Sequence, residues 1–257
     1  MILIAESKTM AAVHPVDAAA FSLNRPLFSN RADRLMASLG ELSDTELAKA
    51  TGLTPKLLTS LRGMIREFPD KRFGIEAKHA FTGIVFKQLA TAIYSAAEYE
   101  RMARNVRIIS SVYGWLRPDD IIKPYRLDFK SRPEPGAPNM MRFWRPDTTN
   151  ALLEELRTGT DREIIDLLPA DAAKCIDWKA VEPEAEVWHV DFKIVADHGG
   201  TMRTPDAGKL KKLRGQLLDL ALRHGALTAR AMARIEGPDF VPADINPVPG
   251  TISFVSA

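Results

Sequence analysis

Residues 107–132 read RIISSVYGWLRPDDIIKPYRLDFKSR, and the reading of the whole chain turns on them. An apolar run leads into an aromatic-glycine turn, Tyr113-Gly114-Trp115. Two prolines follow, the second inside a Pro124-Tyr125-Arg126 triplet. Gly114 admits a backbone conformation that other residues resist. Pro118 and Pro124 each fix φ and restrict the residue before them. The product is a stiffened loop carrying Tyr113, Arg117, Lys123, Tyr125 and Arg126. A stiff loop with cations and aromatics suits a binding or catalytic surface. Just upstream, Val106–Val112 fits a strand or a helix, and periodicity leaves both open.

Outward from that loop the chain alternates strands and helices. Residues 2–5 (ILIA) read as a buried central strand ending at Glu6-Ser7-Lys8-Thr9. Residues 31–39 read as a helix. Ser43-Asp44-Thr45-Glu46 is a capping box that starts another. After the Thr51-Gly52-Leu53 turn, Thr54 caps a further helix with Pro55 at its first position. Residues 76–103 read as mainly helical with a break near Thr82-Gly83. Thr148–Arg157 is an amphipathic helix ended by Gly159. Glu163–Leu168 and Thr251–Val255 are strand candidates, and Val187–Val195 alternates as a half-buried strand does. Gly208–His224 is a helix stopped by Gly225. There is no internal repeat, low-complexity segment or long linker. The expected organisation is one α+β domain over residues 1–257. It has a single mixed sheet, surrounding helices and a helical pair at 43–66 as an excursion.

Composition sets the bounds. The chain has 257 residues, 46% hydrophobic and 26% charged, enough to bury a substantial core. No apolar run reaches the length of a membrane span, and MILIAESKTM has no basic segment of the kind a signal peptide carries. One cysteine, Cys175, excludes an internal disulfide and points to a reducing cytoplasm. Its apolar neighbours make it a structural thiol. The net charge of +2 hides an asymmetry. Residues 101–132 hold eight Lys and Arg against three acids, and residues 203–234 hold eight against two. A nearly neutral chain can thus present one positive face.

Two segments offer chemistry. The pair at 43–66 fits a helix-hairpin-helix, in which Gly52 lets backbone N–H groups approach a phosphate while Lys56 and Arg62 add charge. It also fits a helix-turn-helix, with Lys56, Thr59, Ser60 and Arg62 entering a groove. A plain packing hairpin fits as well. The helix from Gly208 carries Lys209, Lys211, Lys212 and Arg214 early, where cations oppose the helix dipole, and that hints at an anionic partner. His189, Asp191, Asp197 and His198 can be assembled into a metal site on paper, but no ligand spacing supports it, so no metal or other cofactor is expected. There is no P-loop and no GxSxG elbow. Ser7-Lys8 alone cannot establish a nucleophile-base pair.

The stretch at 107–132 also resembles the "LYG-LRP-D-PYR" signature of the peroxide stress protein YaaA family. Collinear blocks extend the resemblance over about the full length: IAESKTM near the start, AFTGIVF at 80–86, RFWRPDTTNAL at 142–152, IDLLPADAAKC at 165–175 and KKLRG at 211–215. The chain departs from the family pattern at Glu6, where the family has Pro, at Thr82, where it has Lys, and at Ile84 and Phe86, where an acid and a hydroxyl are lost. The Asn and Ser of the fifth block are absent too. The resemblance implies a compact α/β fold with a helix-hairpin-helix. It also implies a cytoplasmic protein of the peroxide-stress response, linked to limiting free iron. Its partner would be double-stranded or structured DNA, bound without sequence specificity through a positive cleft. No membrane partner is expected, and no protein partner can be inferred. The DNA-binding residues expected on that basis are Gly52, Lys56, Arg62, Arg117, Lys123, Arg126, Lys209, Lys211, Lys212 and Arg214. The alternative is an enzyme acting on a nucleotide or nucleic acid. Lys8, Thr9, Tyr125 and Arg126 would form its site, Lys8 and Arg126 converging and Tyr125 held ready. The structural competitor has Arg126 paired with Asp128 or Asp120.

Overall fold

All four residues of Ile2–Ala5 are buried, and they form β1, the strand about which the sheet is built. The architecture comes from a computed structural model, which describes residues 1–257 except 91–92, 161, 196–201, 245–246, 248–249 and 257. After β1 come β2 (His14–Pro15), α1 (Ala18–Leu23), α2 (Ser29–Glu41), α3 (Asp44–Thr51), α4 (Pro55–Glu67) and β3 (Phe73–Glu76). Then follow α5 (Ala77–Ala80), α6 (Ile84–Ala90), α7 (Ala96–Asn105), β4 (Val106–Ser110), β5 (Gly114–Leu116) and β6 (Ile121–Ile122). The second half holds α8 (Met140–Thr158), β7 (Glu163–Asp166), α9 (Ala170–Ala173), α10 (Trp178–Val181), β8 (Glu186–Val195) and β9 (Met202–Arg203). It ends with α11 (Ala207–His224), α12 (Ala229–Met232), β10 (Val241–Pro242) and β11 (Thr251–Ser256).

The main sheet is mixed, with strand order β10-β11-β8-β7-β1-β4-β5 and β9 paired to β8. Its five central strands run parallel, and β5, β9 and β10 add antiparallel edges. Alternate residues of β1 serve opposite faces, as the two-residue period demands. Ile2 and Ile4 join the core under α2, α4, α6 and α11, while Leu3 and Ala5 join the core under α8 and α9. A strand buried on both faces reads as a continuous apolar run, which is why ILIA shows no alternation. A separate three-stranded sheet, β2-β3-β6, was not foreseen. Two of its strands are two residues long and have no period to read.

Most expected elements form. The Ser43 capping box is present on both sides, with Ser43 Oγ and the Glu46 carboxylate each bonded to the other's backbone N–H. Thr54, by contrast, makes no side-chain cap to α4. The segment at 106–112 resolves as strand β4. The helix expected from Thr148 begins at Met140 instead, capped by Asn139, and carries Pro146 inside it. Gly114 has φ +69°, and a Cβ there would lie 2.5 Å from the Trp144 ring. The central signature therefore needs glycine for conformation and for space at once.

Candidate functional site

Strand β1 has β7 on one side and β4 on the other, and the chain passes first to β4 and only later to β7. The segments leaving the carboxyl ends of β1 and β7 therefore diverge. In open parallel sheets, ligands bind in the crevice at such a reversal. A cavity of ≈ 590 Å³ lies there. Glu6 to Thr9 enter it from β1, and Leu167 and Pro169 to Asp171 from β7. Gly83 to Phe86 enter from the start of α6, Asp128 to Lys130 from the signature loop, and Lys211 and Arg214 from α11.

The β1 segment is held in place by the loops around it. Glu6 N–H donates to the Ile109 carbonyl at 3.0 Å, Gly83 N–H to Ser7 Oγ at 3.0 Å and Thr82 N–H to the Thr9 carbonyl at 2.9 Å. Lys8 Nζ donates to Asp128 Oδ2 at 2.7 Å. Burial alone would raise the Asp128 carboxyl, but the Lys8 ammonium and the Lys130 and Ser131 amides hold it below its ordinary value. Arg126 donates to the Lys8 carbonyl. Helices α11 and α6 approach closely because residue 215 is glycine, where a Cβ would meet the Val85 carbonyl at 2.6 Å. That approach brings Lys211 and Arg214 to the rim. Burial lowers the Arg214 pKa, with Asp166 and Asp191 opposing the shift, and its Nε is buried without a hydrogen-bond partner.

Glu6, which the sequence marks only as a departure from the family pattern, is a cavity-lining group. Its Oε2 accepts from Ser111 N–H at 2.9 Å and from the Tyr125 hydroxyl, which is also bonded to Ser110 Oγ at 2.7 Å. Burial pushes the Glu6 carboxyl up to about 7, against the pull of those bonds. An acid directly after a fully apolar central strand was the available signal, since strand ends of this kind carry ligand groups.

Several expected residues take other places. Tyr125 is buried and reaches the cavity only through Glu6. Arg126 binds backbone rather than an acid, and the acid expected for it, Asp128, pairs with Lys8. Lys123 is buried at 3% exposure with Nζ donating to the Asp70 carbonyl at 2.6 Å, so it does not line the cleft. Arg117 is exposed and lines a separate cavity of ≈ 430 Å³ with Arg25, Arg104 and Arg107. Arg62 donates to Asp44 and to the Gly40 and Leu42 carbonyls, which locks α4 to the turn between α2 and α3. Lys212 pairs with Asp239 at 2.7 Å. Lys209 lies at the capped start of α11, its N–H bonded to Asp206. Thr9 and Lys8 are exposed at the cavity mouth.

In the 43–66 pair, Gly52 adopts φ +67° and ends α3. Lys56 is exposed one residue after Pro55. Arg132 N–H donates to the Ala50 carbonyl at 2.9 Å, so the turn hangs on the loop that carries Lys130. Of the paper metal site, Asp197 and His198 lie outside the described residues. His189 binds Asp166 at 2.8 Å, and Asp191 binds Lys193. Among the described residues no three His, Cys, Asp or Glu side chains lie close enough to hold a metal, and no helix is long and apolar enough to cross a membrane.

Residues 1–242 match the family model described as peroxide stress protein YaaA. A UPF0246 protein of Parabacteroides distasonis is 31% identical over 196 residues, 76% of each chain. A UPF0246 protein of Bordetella avium is 27% identical over 253 residues, covering 94% of this chain and 93% of its own. One from Acaryochloris marina is 27% identical over 228 residues, 85% and 86% of the two chains.

Proposed function

The chain belongs to the peroxide stress protein YaaA family, and within it we propose that this protein binds double-stranded or structured DNA through phosphates, without reading sequence. The observation that carries the proposal is the convergence of cations from three separate segments on one crevice. Lys8 comes from β1, Lys130 from the signature loop, and Lys211 and Arg214 from α11. Lys8 pairs with Asp128 and Lys130 with Asp171, whereas Lys211 and Arg214 have no ion pair among the described residues and can meet an outside anion. The 43–66 pair supports the same reading as a helix-hairpin-helix. Its glycine turn and the uncapped start of α4 offer backbone N–H groups beside the exposed Lys56. We propose further that it acts in the cytoplasm during peroxide stress and helps limit free intracellular iron.

Fluorescence anisotropy with two labelled duplexes of unrelated sequence tests this at low salt. Both should bind with the same affinity, and Lys56→Glu should weaken both alike. Absence of binding at low salt ends the reading, and strong preference for one duplex replaces it with groove readout.

A second reading, an enzyme acting on a nucleotide or nucleic acid, is favoured by the Glu6–Tyr125–Ser110 chain at the cavity wall. Lys8 stands at the mouth, and Tyr125 and Arg126 act from behind it. A carboxyl poised near neutrality beside a cavity is what proton transfer needs.

A further inference from the structure

The crevice at the ends of β1 and β7 is far smaller than a duplex. At ≈ 590 Å³ it has the size of a pocket that encloses one small molecule. Its lining is mixed in character, with Asp128 and Asp171 of the lining paired to Lys8 and Lys130. Ile84, Phe86, Phe129 and Leu167 give an apolar side. Lys211 and Arg214 give a cationic side, and the buried Arg214 Nε has no acceptor. Glu6 lines the same crevice, just after the end of β1. Its Oε2 is held by Ser111 and Tyr125, and no hydrogen bond among the described residues engages Oε1.

This mixture selects the ligand. A bare phosphate would satisfy the cations but leave the apolar residues uncovered. A purely apolar ligand would leave Arg214 without an acceptor. A nucleotide meets both needs, with an anion, an apolar ring face and N–H or O–H donors in one molecule. We propose that the crevice takes one nucleotide, its phosphate on Lys211 and Arg214, its base along the apolar side, and a base or sugar donor on Glu6 Oε1. The inference rests on the DNA-binding reading only for the source of the nucleotide. DNA supplies an unpaired one, as enzymes that extrude a base use, and solution supplies a free one.

Calorimetric titration with the four deoxynucleoside monophosphates and with inorganic phosphate tests the site. At least one mononucleotide should bind about tenfold or more tighter than phosphate, because only it covers the apolar side. Arg214→Gln should weaken that binding by about tenfold or more, the scale of a lost charged hydrogen bond. Lys211→Gln, at an exposed position of α11, should weaken it without touching the fold. Duplexes with and without one unpaired nucleotide then separate the sources. A preference for the unpaired duplex assigns the site to DNA, and equal duplexes with tight mononucleotide binding assign it to free nucleotide. No mononucleotide binding while the paired duplex binds normally overturns this inference and leaves the DNA reading standing. Mononucleotide binding without duplex binding does the reverse. Equal affinity for phosphate and mononucleotide also overturns it.

Discussion

Glu6 shows most clearly what one residue costs the fold and what it offers in return. Its carboxyl is raised from 4.5 to about 7 by burial, so the folded state holds its proton over a range where the unfolded chain has released it. The sign follows from linkage. Stability falls as pH rises through that window, and the cost is complete above about 7. Glu6→Gln keeps an acceptor for Tyr125 and Ser111 and removes the ionisation. The variant should be more stable than the parent at about pH 8, by on the order of 2–3 kcal/mol, with the gain vanishing toward about pH 4. Urea melts at the two pH values read it, and an equal gain at both means burial of charge is not the cause. His189 has the opposite linkage. The Asp166 hydrogen bond raises its pKa, so the stability it adds is present at low pH and lost as pH rises through the raised value. Cys175 is buried, with its thiol pushed up to about 12, so the native protein presents no thiolate to peroxide through it.

At the scale of elements, two glycines test separate ideas about how the site is assembled. Gly52 has open space around its Cα but a left-handed φ, so Gly52→Ala pays only conformational strain, about 1 kcal/mol. Gly215 has an ordinary helical backbone but no space, and Gly215→Ala must push α6 from α11 against the Val85 carbonyl, for about 1–3 kcal/mol. Thermal melts should rank Gly215→Ala as the more damaging. The reverse order would mean that the turn, and not the helix contact, anchors this side of the molecule. The elements that read well from sequence are those whose signals are local: the ILIA strand, the Ser43 box and the Gly225 stop. The short strands His14–Pro15 and Ile121–Ile122 exist only through pairing with Phe73–Glu76, so nothing within them announces a strand. The early turns of α8 were hidden because Pro146 reads as a boundary when its neighbours are unknown.

For the whole molecule, the issue is where its charge goes. A cation in a sequence declares its charge but not its partner. Arg62 and Lys123 are consumed by Asp44 and by the Asp70 carbonyl, Lys8 reaches the cavity paired with Asp128, and Lys211 and Arg214 reach it without an ion pair among the described residues. Glu6 reads in the sequence only as a departure from the family pattern, because its meaning depends on Tyr125, 119 residues away. If the crevice side is the positive face, salt dependence should report it. With about four to seven phosphates neutralised, the logarithm of duplex affinity should fall against the logarithm of salt with a slope of about −4 to −6. Lys211→Gln and Arg214→Gln should each make the slope shallower by about one, since each removes one phosphate contact. Arg117→Gln is the control, for Arg117 lines the other cavity. Its slope should equal that of the parent. Should Arg117→Gln flatten the slope while the α11 pair leaves it unchanged, the phosphates lie against the arginine-lined cavity, and the crevice between β1 and β7 is not the DNA face.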